Sequence, residues 1–208
     1  MPSRHVATSL AARALSLAML LGGGGLLALV LAATVRLAGD VGEHLVRSTI
    51  RLSLAWYAVA LLAMMRLVWA DWTAATPFGR LARWCWTWAW ACFVVHVALA
   101  FHYYDHWSHA AAFERTRQVS GLGEGLYVSY GFLLAWTADV WFWWLQPAAY
   151  ANRPTWVGVV LHTTMLWIIF NGMVVFETGL IRWAGLIMFV VLAVAWVLTR
   201  SNRVSPTA

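Results

Sequence analysis

Residues 181–199 read IRWAGLIMFVVLAVAWVLT. The single charge, Arg182, stands at the edge, and Arg200 follows directly. As a helix such a run is about 28 Å long, close to the ~30 Å hydrocarbon thickness of a bilayer. It shows neither the polar stripe of a soluble amphipathic helix nor the strict alternation of a barrel strand. A lipid-embedded helix is the reading it allows.

Five further runs of this kind precede it, at 14–35, 50–70, 84–104, 126–146 and 156–176. Two longer connections, 37–49 and 105–125, separate them. Pro77 with Gly79, and Pro147 with Pro154, mark two turns, and Gly179 marks a third. No internal repeat of fixed period is present. The expected fold is all-α: one transmembrane domain over 1–208, a polytopic membrane helical bundle of about six spans. The first run resembles a secretory signal at Leu31-Ala32-Ala33, but its apolar stretch exceeds the ~7–15 residues of a signal core. It is read as a retained helix, and Gly22–Gly25 would let a neighbouring helix approach closely.

Composition agrees. Of 208 residues, 62% are hydrophobic and only 11% charged, against ~25% charged in soluble domains. Mean hydropathy is +0.71. A soluble enzyme, a disordered chain and a disulfide-stapled secreted module are excluded. The net charge of +6 comes entirely from arginine, with no lysine. These arginines stand singly at the ends of apolar runs, which is membrane anchoring rather than a nucleic-acid surface. Counting them puts Arg4, Arg13, Arg80, Arg83, Arg153, Arg200 and Arg203 on one side. Arg36, Arg47, Arg51, Arg115, Arg117 and Arg182 fall on the other. The positive-inside rule then places both termini in the cytoplasm. All-arginine usage suits a GC-rich genome, hence a bacterial inner membrane. Cys85 and Cys92 lie about 10 Å apart along one helix, too far for a disulfide.

Sixteen tryptophans stand out. Trp84, Trp86, Trp88 and Trp90 open the third run, and Trp141, Trp143 and Trp144 close the fourth. Both groups are expected in the interfacial aromatic belt.

Polar groups inside spans are costly, so each is a candidate for function. The densest group is His102-Tyr103-Tyr104-Asp105-His106-Trp107-Ser108-His109. If the third span continues as helix, His102, His106 and His109 share one face, with Asp105 beside them. Three imidazoles and a carboxylate can ligate zinc, copper or iron. His44, in the first long connection, is a possible further ligand at the same level. Asp40, Glu43, Glu114, Glu124 and Glu177 lie at that end too. The spacing resembles one histidine box of the membrane di-iron desaturases and hydroxylases. That family carries several boxes, whereas this chain has seven histidines in all and no second box.

Two other groups lie within spans. Arg66, Asp139 and His162 fall about 6–11 Å from the inner face and could form a buried ion pair or a proton or substrate relay. His96 and His162 are the candidates for haem, although they differ in depth by roughly 9 Å. There is no Walker loop, nucleophile elbow or zincin motif. The leading expectation is therefore a metal-binding or redox membrane protein with an outer histidine site. The alternatives are a small-solute or proton transporter subunit using Arg66, Asp139 and His162, and a scaffold subunit of a larger membrane complex.

Overall fold

The computed structural model describes residues 3–37 and 39–204, with side chains placed for 11–37 and 39–201. Arg4 and Arg203, counted above as inner charges, have side chains outside that range. Among the described residues the elements are helical throughout. They run α1 (Ser3–Leu37), α2 (Val41–Met64), α3 (Trp69–Trp72), α4 (Pro77–Tyr103), α5 (His109–Ser120), α6 (Gly125–Leu145), α7 (Pro147–Ala151), α8 (Thr155–Phe170) and α9 (Gly179–Val204). A π-helical turn, Asn171–Val175, extends α8.

Five segments are long and apolar enough to cross a membrane: Ala11–Leu37, Val41–Met64, Pro77–Tyr103, Thr155–Val175 and Gly179–Ser201. The 21-residue α6 matches them in length. It misses on hydropathy because Asp139 and four tryptophans lower its average.

Two expected loops and three helix boundaries are corrected. The connection at 37–49 shrinks to a turn, since α2 starts at Val41 rather than at 50. Asp40 caps it, accepting from the Glu43 amide at 3.0 Å. Glu43 then pairs with Arg47 one turn on, at 2.8 Å. A hydropathy reading misses such a start because capping and i,i+4 pairs use polar residues. At its other end α2 stops at Met64, not at 70. In the same way α4 begins at Pro77 rather than at 84, with Thr76 as its cap and Pro77 at the first helical position. The second long connection holds α5, capped by Ser108 and closed by Gly121 at φ +80°.

The core lies between α2, α4 and α6. Buried Ala60, Ala82 and Ala89 let α2 and α4 approach closely. Ser53 of α2 donates to the Ala89 carbonyl at 2.7 Å. α1 lies outside this core and is held by a different device. Trp88 of α4 donates to the Met19 carbonyl at 2.9 Å, and its indole lies directly against the Gly23 backbone. A Cβ at position 23 would occupy the indole's place. The glycine run of the first span is therefore a socket for one tryptophan.

The tryptophan groups pack largely between helices. Trp86 and Trp143 are fully buried. Trp90 donates to Thr137 and Trp144 to Thr87, both at 2.9 Å or less. Trp143 donates to the Trp72 carbonyl and stacks on Tyr150 at 4.8 Å. Only Trp141 of the second group is largely exposed. The two clusters face each other across α4 and α6, and these indoles hold the helices together there.

Candidate functional site

The outer histidine face does not assemble. α4 ends at Tyr103, and His106 and Trp107 take left-handed φ of +48° and +61°. The Trp107 amide donates to the Phe101 carbonyl at 2.9 Å, folding the chain back over the end of α4. Ser108 then starts α5 in a new direction. His102, His106, His109 and His44 are all exposed, on α4, the following turn, α5 and α2 respectively. His102 contacts Tyr103 and Trp107, while His109 lies against Tyr127 and Tyr130, with Nδ1 at 3.1 Å from the Tyr130 hydroxyl. Among the described residues, no three His, Cys, Asp or Glu side chains come together to hold a metal.

Asp105 turns the other way. It is 1% exposed and takes both arms of the Arg115 guanidinium, at 2.8 and 2.7 Å. The fork locks the α4–α5 connection onto α5. Asp105→Ala should lower stability by about 2 kcal/mol, read as a fall in the unfolding midpoint in detergent. A metal ligand whose bound ion dominated folding would give a larger, chelator-sensitive loss. On α5 itself, the Arg117 guanidinium and the Gln118 amide hold the exposed Glu114 carboxyl down at about 2.

At the opposite end of the bundle Asp139 is a hub, but its partner is not Arg66. Arg66 sits exposed in the turn after α2. Arg153, in the turn between α7 and α8, makes the ion pair with the Asp139 carboxylate. Trp86 and Tyr150 each donate to the other carboxylate oxygen at 2.9 Å. Arg153 also lies over the Tyr150 ring at 3.8 Å. α4, α6 and α7 are thereby joined at one carboxylate. His162 comes close to this group through the Trp86 ring, at 5.3 Å between centroids. Its Nδ1 is buried without a hydrogen-bond partner among the described residues.

His96 and His162 do not frame an open slot. The contacts between them run through Phe93, Trp136 and Trp86 in sequence. His96 also commits Nδ1 to the Val46 carbonyl at 2.9 Å. Cys85 and Cys92 are free thiols, both buried.

What the structure does build is a cavity of about 410 Å³ between α2, α4, α6, α8 and α9. Its walls are mainly apolar and aromatic, with Tyr57, Phe93, Phe132, Trp136 and Met165 among them. Arg47, Arg51, Arg115 and Glu177 are also in its lining. The π-helical turn contributes Gly172 and Met173; such turns widen a helix and recur at functional sites. His96 is on the wall as well.

Seven buried side-chain nitrogen or oxygen atoms have no hydrogen-bond partner among the described residues, and two of them belong to this cavity's walls. They are the Tyr57 hydroxyl and the Trp136 indole N–H. Tyr57 is 1% and Trp136 2% exposed, and their rings meet edge to face at 6.4 Å. Most buried polar groups are paired, so these two are exceptions within the aromatic core. A second hollow, of about 550 Å³ between α6 and α8, has Asp139 and Arg153 in its lining. Those two groups already satisfy each other, which leaves this hollow nothing to grip with.

Tyr57 and Trp136 were overlooked in the sequence because aromatic residues in apolar runs read as core. The available signal was depth. Tyr and Trp favour span ends, where the polar tip meets water, whereas both of these stand well inside their helices. Comparison with protein-family models, curated proteins and solved structures gives no match.

Proposed function

We propose that this chain is a six-span membrane protein that binds an apolar or amphiphilic small molecule within its bundle, as a carrier or ligand-binding subunit. The observation that carries the reading is the mainly apolar cavity of about 410 Å³ with Arg47, Arg51, Arg115 and His96 in its lining. A concave, mainly apolar pocket with a few polar groups is the usual form of a small-molecule site. Arginines at the outer part suit a ligand that enters from the headgroup level.

In this reading α6 is the sixth span, both termini are cytoplasmic, and a bacterial inner membrane fits the arginine usage. A single cysteine introduced at Ser120, with Cys85 and Cys92 replaced by Ala, should react with an impermeant thiol reagent from outside. One at Asn152 should react only after the membrane is opened. The reverse pattern overturns the orientation, and equal outside labelling at both positions overturns the span count.

Ligand binding has its own test. Val97 lines the cavity on α4. Val97→Trp should fill the space without touching Asp139 or Asp105. Apolar extract from the native membrane should raise the unfolding temperature of the wild type and leave Val97→Trp unmoved. Equal shifts in both proteins contradict the proposal.

A further inference from the structure

The early start of α2 changes the place of one arginine. Hydropathy sets Arg51 at the edge of a span, but in the fold it lies well inside the 24-residue α2. Two contacts fix its level against α4. His96 Nδ1 bonds the Val46 carbonyl, and Ser53 donates to the Ala89 carbonyl. Arg51 falls between these two points, level with about Ala91, close to the midpoint of the 27-residue α4. That is about 18 Å along the axis from the α4 end at Tyr103. The half-thickness of the hydrocarbon layer is only ~15 Å. A charged side chain at such depth is costly and calls for a partner.

The protein supplies none. Glu43 is committed to Arg47 at 2.8 Å, and Asp105 takes both arms of Arg115. Glu177 shares the cavity lining, but it follows the span that closes at Val175. Among the described residues, neither Arg51 nor the Glu177 carboxylate makes an ion pair. Arg51 is exposed instead of packed, and it lines the cavity. Around it the lining is largely apolar, with Ile50, Leu54, Phe93, Leu133 and Ile168. The cavity thus joins one free guanidinium to an apolar hollow, which is the complement of an acid-headed amphiphile. A guanidinium fork matches the two oxygens of a carboxylate, whereas a phosphate dianion asks for more than one free cation.

Resting on the ligand-binding reading above, we infer that the cavity takes a long-chain carboxylic acid, its carboxylate on Arg51 and its chain along the apolar lining. Arg47 and Arg115, in the same lining nearer the end where α2 begins, favour entry of an anionic head from that end.

The test uses the purified full-length chain in dodecyl maltoside with three radiolabelled probes of equal chain length: hexadecanoate, hexadecyl phosphate and hexadecanol. Retention by the immobilised protein is measured above that of protein-free micelles, for the wild type, Arg51→Gln, Arg51→Lys and Val97→Trp. Hexadecanoate should bind near one per chain and more tightly than hexadecanol. Arg51→Gln should weaken hexadecanoate about tenfold and leave hexadecanol unchanged. Arg51→Lys keeps the charge and should recover part of that loss. Hexadecyl phosphate bound in place of hexadecanoate, with the same dependence on Arg51, overturns the carboxylate and keeps Arg51 as the head-group site. Hexadecanoate and hexadecanol bound equally, with no effect of Arg51→Gln, overturn the head-group inference and leave the cavity as a site. Failure of all three probes to bind, or undiminished binding by Val97→Trp, overturns the cavity reading itself.

Discussion

Asp139→Ala is expected to destabilise the bundle by about 3–5 kcal/mol, the range for removing one partner of a buried ion pair. The reason is the company that the carboxylate keeps. Arg153 has a side chain only 12% exposed, and without Asp139 its guanidinium has no counter-charge nearby. Trp86 and Tyr150 lose their acceptor at the same moment. Both are fully buried, so no water replaces it cheaply. The loss should be read by reversible unfolding in mixed micelles. A double variant, Asp139→Leu with Arg153→Met, should recover much of the stability, because the stranded charge is gone. Arg66→Ala, by contrast, should cost less than about 1 kcal/mol, since Arg66 is exposed and apart from the hub. Equal effects for Asp139→Ala and Arg66→Ala would refute this assignment of partners.

Gly79→Val should leave little folded protein. A Cβ at position 79 would collide with the Asp71 backbone carbonyl, and backbone cannot swing aside as a side chain can. The surrounding turn is tightly bonded. Asp71 accepts from the Val68 amide at 3.0 Å and from the Thr76 hydroxyl, and Thr76 in turn accepts from the Gly79 amide at 3.0 Å. Any shift of α4 away from Asp71 would break this set. Even Gly79→Ala should cost about 3 kcal/mol. Gly25→Ala is the matched control. It is also helical but faces open space, so it should be neutral or stabilising by up to about 1 kcal/mol. Similar yields and unfolding midpoints for Gly79→Ala and Gly25→Ala would contradict the close approach.

The helices were legible in the sequence because hydrophobic runs of bilayer length have few other uses. The limits of α2 and α4 were not, because Asp40, Glu43, Thr76 and Pro77 act through caps and backbone geometry that hydropathy does not register. Asp139 was recognised as a buried carboxylate, but the choice of its partner turned on which arginine the chain folds back. Arg153 reaches it after the short α7, while Arg66 leaves α2 at the surface. The histidine spacing of 102, 106 and 109 carried meaning only for a continuous helix. Two successive left-handed residues at 106 and 107 break that condition, and neither is the glycine that would have announced the turn. The tryptophans were legible only in part. Composition points to the interface but says nothing of the contacts, such as Trp86 with Asp139 and Trp143 with Tyr150, that bury these rings between helices. The cavity between Tyr57 and Trp136 arises from three-dimensional packing, and only the depth of those two residues in their spans hinted at it.

The most direct measurement is mass spectrometry of the intact protein, released from its native membrane in polymer discs and then stripped of bulk lipid. Near one apolar or amphiphilic small molecule should remain with each wild-type chain and be absent from Val97→Trp prepared in parallel. Wild-type chains that retain nothing beyond the lipids found equally on Val97→Trp would contradict a ligand site within the bundle.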